Sequence, residues 1–90
     1  MERCEVRLAT AGTFVLKKGS SGKQIFVHDI AYTATATSTV AFTDGKKTIT
    51  LDAAVGSNWV CKEFVFEPDA DVTITVTGGT VSIFLDYGHK

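Results

Sequence analysis

From Asp71 to Asp86 the chain reads DVTITVTGGTVSIFLD, with apolar and polar residues alternating on both sides of a Gly-Gly pair. A period of two sets successive side chains on opposite faces of a strand. Glycines accept the positive φ angles of a tight turn, so the stretch predicts a hairpin with Gly78 and Gly79 as its loop. In that register Thr77 faces Thr80, Val76 faces Val81, Ile74 faces Ile83 and Val72 faces Leu85. Opposed residues share a face. One face therefore carries Val72, Ile74, Val76, Val81, Ile83 and Leu85, while the other carries Thr73, Thr75, Thr77, Thr80 and Ser82, with Phe84 its large apolar member. Six aliphatic side chains, worth roughly 1.5–3 kcal/mol each on burial, need a second layer to cover them. The expected architecture is sheet on sheet.

The remaining sequence repeats this pattern. Strands are expected near residues 3–9, 12–17, 24–32, 36–43, 46–52, 59–66, 71–77 and 80–86, and no stretch sustains a helical period. Eight short strands in one 90-residue domain predict an all-β antiparallel sandwich of jelly-roll type. TVAFTDGKKTITL predicts a second hairpin around Asp44-Gly45, placing Val40 opposite Ile49, Phe42 opposite Lys47 and Ser38 opposite Leu51. Thr39, Ala41, Thr43, Lys46, Thr48 and Thr50 then face outwards. QIFVHDIAY reads as apolar on both faces, Ile25 and Val27 on one and Phe26, Ile30 and Tyr32 on the other, and NWVCKEFVF reads likewise. Such strands are either central in the fold or packed on one face against another subunit.

Composition fits a folded β-rich chain, with 44% hydrophobic and 21% charged residues, thirteen Thr and ten Val. The net charge of −1 provides no field for nucleic acid or an anionic membrane. The start, MERCEVRLATAG, has no apolar run of signal-peptide length, and no segment approaches a membrane span. Cys4 and Cys61 lack zinc-type spacing and predict free, mostly buried thiols.

Candidate chemistry is sparse, and neither a cofactor nor catalysis is expected. KKGSSGKQ, residues 17–24, lacks the first glycine of a phosphate-cradling loop and leads into a strand, so it reads as a flexible basic turn. His28 and Asp29 are neighbours on one strand, which predicts opposite faces and no pairing. No serine sits in a nucleophile-elbow context. Glu67, Asp69 and Asp71 offer carboxylates for a hard cation, but without EF-hand spacing, and read as a solvated turn closed by Pro68. Trp59, Tyr32 and Tyr87 are the candidates for an aromatic sugar-binding platform, against a reading as core or interface residues.

The run from IFVHDIAYTATATSTVAFTDG through FVFEPDADVTITVTGGTVSIFLDYG, roughly residues 24–87, resembles the small jelly-roll virion proteins of tailed bacteriophages, in particular capsid decoration proteins. The resemblance lies in Thr-rich alternating strands and in an acidic turn before a VTITVTGGT-like hairpin. It implies a noncatalytic component of the capsid surface, made in the host cytoplasm. It also implies a symmetric oligomer, a trimer, seated among major capsid proteins, while the charge balance leaves no nucleic-acid or membrane partner expected. The apolar surplus places the interface on Phe26, Ile30, Tyr32, Trp59, Phe84 and Tyr87. A carbohydrate-binding module and another tail or fibre module are the competing expectations.

Overall fold

The computed structural model describes residues 2–9 and 12–90. In chain order the strands are β1 (Glu2–Leu8), β2 (Thr13–Leu16), β3 (Gln24–Ala34), β4 (Ser38–Thr43), β5 (Thr48–Ala53), β6 (Gly56–Val60), β7 (Phe64–Pro68), β8 (Val72–Thr77) and β9 (Val81–His89). The strand expected over 59–66 is two, interrupted at residues 61–63, and both pieces pair with β3. One sheet runs β1-β9-β3 and then β6 or β7, the other β2-β8-β4-β5, with every strand pair antiparallel. Because the chain changes sheet at nearly every connection, the result is a jelly roll.

The Gly-Gly segment does not form the expected hairpin. β8 pairs with β2 and β4 in one sheet, whereas β9 pairs with β1 and β3 in the other. Gly78 has φ 112° and Gly79 lies outside the positive region, a combination that a type II′ hairpin turn also accepts, so the turn residues by themselves do not set the pairing. Both glycines instead serve close packing of two sheet-crossing corners. A Cβ on Gly78 would lie 2.6 Å from the Thr37 carbonyl oxygen, and one on Gly79 would lie 2.8 Å from the Ala36 nitrogen. Ser38, the buried polar residue of this corner, accepts from the Gly79 amide at 2.7 Å and donates to the Ala36 carbonyl at 2.7 Å. The six aliphatic residues assigned to the inner face are nevertheless all buried, at 0–1% exposure. They meet across the sandwich rather than side by side.

The β4–β5 hairpin forms, but its loop has four residues, 44–47, so Thr43 pairs with Thr48, Phe42 with Ile49 and Val40 with Leu51. The Asp44 carboxylate accepts from the Lys46 and Lys47 amides at 2.8 and 2.7 Å through Oδ1 and from the Glu67 amide at 2.8 Å through Oδ2. Burial opposes ionisation of Asp44, but the amides of Glu67, Lys47 and Lys46 outweigh it and hold the carboxyl below its ordinary range. A turn of one sheet is thereby tied to β7 of the other. The register differs from the expected one by two positions, which leaves every residue of the paired strands on its assigned face and moves Lys46 and Lys47 into the loop. Thr13, Thr75, Ala41 and Thr50 stand in one cross-strand row of the outer face, and Val15, Thr73, Thr43 and Thr48 in the next.

β3 departs most from expectation. Ile25, Val27, Ile30, Tyr32 and Ala34 are all buried, so this strand has one apolar face. A β-bulge between His28 and Ala31 supplies the missing half-period: residues 25–28 pair with 89–86 of β9, and residues 31–33 pair with 84–82, so that two residues of β3 oppose one of β9. Asp29, in the left-handed region at φ 53°, absorbs the extra residue. Ile30 and Tyr32 therefore belong to the core of the chain, with the Tyr32 hydroxyl donating to the Asp52 carbonyl at 3.0 Å.

Candidate functional site on the outer face of the first sheet

The bulge in β3 stands beside the break between β6 and β7, and this coincidence of two irregularities shapes the surface. Ala31 is paired on one side with Trp59 of β6 and on the other with Phe84 of β9. A methyl group between two large rings leaves a groove of about 380 Å³, lined by Arg3, Asp29, Ala31, Trp59, Phe84, Leu85 and Asp86. Trp59 is 70% exposed and Phe84 45% exposed. A second hollow, lined by Phe26, His28, Asp29, Cys61, Lys62 and Glu63, adjoins the first at Asp29.

The polar rim is held by short contacts. His28 Nδ1 lies 2.9 Å from Asp29 Oδ2, the ring N–H donating to the carboxylate, and the Cys61 thiol lies 3.4 Å from Asp29 Oδ1. The expectation that His28 and Asp29 point apart fails because the bulge breaks the alternation between them. The His28 hydrogen bond, then that of Cys61, holds the Asp29 carboxyl below its ordinary range. Across the rim Arg3 Nε pairs with Asp86 Oδ1 at 3.3 Å.

Of the residues assigned to an interface, Trp59 and Phe84 stand in the open. Phe26 is half-buried on the same outer face, stacked on His28 with ring centroids 6.0 Å apart and lying over Gly88, whose Cβ would fall 2.8 Å from its ring. Tyr87 turns to the inner side and packs partly buried against the core. Tyr32 and Tyr87 are thus unavailable as a sugar platform with Trp59. Glu67, Asp69 and Asp71 do not converge on a cation. Asp69 accepts from the Gly22 amide at 2.7 Å and Asp71 from the Lys18 amide at 2.7 Å, so these two carboxylates fasten the 17–23 turn, and the Glu67 amide serves Asp44. The phase slip in IFVHDIAYTA, where Ile25 and Val27 fall on one parity and Ile30, Tyr32 and Ala34 on the other, was the available signal for the bulge and for the pairing of His28 with Asp29.

Both cysteines are free, but only Cys4 is buried; Cys61 is exposed at the strand break. Burial, with the charge of Glu5, pushes the Cys4 thiol up, while the hydrogen bond to Asp29 and its charge push Cys61 up. Maleimide labelling without denaturant is expected to modify Cys61 and spare Cys4. Asp29→Asn is expected to speed the Cys61 reaction, because removing the adjacent charge favours thiolate. Equal labelling of both thiols would contradict this assignment.

Fold and surface together define the class: an antiparallel jelly-roll sandwich with an aromatic groove on one outer face. The chain matches no family model and no curated protein. Among solved structures it is similar to a de novo designed double-stranded β-helix determined by NMR in solution, with a TM-score of 0.54 and 11% identity over 98% of this chain and 100% of that one. That likeness concerns the fold alone.

Proposed function

We propose that this chain is a noncatalytic binding module that docks through the Trp59–Phe84 groove, and that its role is that of a capsid decoration protein assembling as a trimer on major capsid proteins. One observation carries the docking surface: a tryptophan left 70% exposed beside a 45% exposed phenylalanine, on a chain whose other large apolar side chains mostly fill the core. Exposed aromatic pairs are favoured at interfaces because their burial releases much apolar surface at low conformational cost. The apolar surplus that motivates self-association is largest at this patch, the two exposed aromatic rings standing side by side, while Phe14, Val15 and Val55 are exposed elsewhere. The virion role rests on the resemblance of the Thr-rich strands. A sugar-binding role is favoured by the same tryptophan, whose open ring face beside Asp86 and Arg3 suits stacking and hydrogen bonding of a pyranose.

Trp59 is the sole tryptophan, so its fluorescence reports the groove directly. Light scattering is expected to show a trimer that Trp59→Ala dissociates, with subunit affinity reduced at least roughly 30-fold. Capsids stripped of decoration should bind the wild-type protein and melt at higher temperature. A wild-type monomer that ignores capsids and whose fluorescence responds to oligosaccharides would replace this reading with the sugar-binding one.

A further inference from the structure

One donor atom each from His28, Asp29 and Asp86 lies within 4.8 Å of the other two. From this convergence we propose that the three residues form a binding site for a zinc-type divalent cation at the rim of the aromatic groove. Its three protein donors are the same whichever molecule docks in the groove.

The donors come from two neighbouring strands. The bulge turns Asp29 to the side of His28, and the β3–β9 register sets His28 directly opposite Asp86. Zinc bonded to nitrogen and oxygen at about 2.0–2.1 Å holds tetrahedral ligands about 3.4 Å apart. His28 Nδ1 and Asp29 Oδ2, at 2.9 Å, already approach that spacing, and side-chain rotation closes the remainder. A cation taking Nδ1 moves its hydrogen to Nε2 or to solvent.

The donor set selects the metal. Imidazole with two carboxylates suits a borderline ion such as zinc, whereas calcium and magnesium take oxygen ligands throughout. The Cys61 thiol, bonded to the opposite oxygen of Asp29, orients that carboxylate as an outer partner. Three protein ligands leave a position open, and both Asp29 and Asp86 line the groove, so an oxygen of the docked molecule would complete the coordination. Arg3 is the competing cation. Its side chain is 67% exposed and free to swing away from Asp86.

The test is calorimetric titration of tag-free, chelator-treated protein with zinc chloride and, separately, calcium chloride. One equivalent of zinc is expected to bind and calcium to give no comparable heat. His28→Gln and Asp86→Asn should each weaken zinc at least about tenfold, Arg3→Gln should strengthen it a few-fold, and Cys61→Ser should retain it. In the wild-type protein, whose fold is not in question, zinc should move the NMR signals of the His28 imidazole before those of His89. Absence of zinc binding, a preference for calcium, unchanged affinity in His28→Gln, or loss of binding only in Cys61→Ser would each overturn the site.

Discussion

Ile74→Asp is expected to abolish cooperative unfolding, whereas Thr75→Lys, one residue along the same strand, should leave the thermal midpoint nearly unchanged. Ile74 is fully buried, paired with Phe42 on one side and Phe14 on the other. Aspartate there forfeits roughly 1.5–3 kcal/mol of apolar burial and adds a desolvation cost of several kcal/mol. Small domains hold only about 5–15 kcal/mol in total. Thr75 stands on the outer face between Thr13 and Ala41, where a lysine stem lies along the surface with its ammonium in water. Its substitution should stay within about 0.5 kcal/mol. Circular dichroism melts of the two variants decide the matter, and comparable losses would refute the inner and outer assignment.

Single-residue deletions in β3 should separate even more sharply. Deleting Asp29 removes the extra residue of the bulge, leaving Ile25, Val27, Ile30, Tyr32 and Ala34 in unbroken alternation on the core face. It also discards a non-glycine residue at φ 53°. The connector at 61–63 can absorb the change on the opposite edge. Stability is therefore expected to stay within about 1 kcal/mol, a shift of roughly 4–8 °C at most, while zinc binding disappears with the His28–Asp29 pair. Deleting Ala31 leaves the bulge in place and turns Tyr32 and Ala34 outwards, with Thr33 inwards. Loss of the fold is expected. If both deletions unfold, or both are tolerated, the bulge does not set the phase of this strand.

β8 and β9 show how far local pattern reaches. All six aliphatic residues of the two strands lie in the core as their alternation requires, yet the strands belong to different sheets. One-sided strands can cover their apolar faces beside one another or opposite one another, and alternation is the same in both. The choice fell to the fit of Gly78 and Gly79 against residues 35–38, contacts made by a segment some forty residues earlier in the chain. The aromatic groove was partly legible: Phe84 stood out as the large apolar residue on a polar face, but the exposure of Trp59 depends on the β6–β7 break. The cation site was hidden because unbroken alternation separates His28 from Asp29.

What the amino-acid sequence determined by itself is the layer to which most side chains belong. Period-two patterning is local, the hydrophobic effect acts on it whichever strand lies alongside, and a register shift of two, as at residues 44–47, leaves faces untouched. Only the tertiary structure decided which strands pair, where β3 inserts its extra residue, and which aromatic rings remain open. These depend on many strands competing at once for edges and core volume, so a segment's own preferences do not contain the answer.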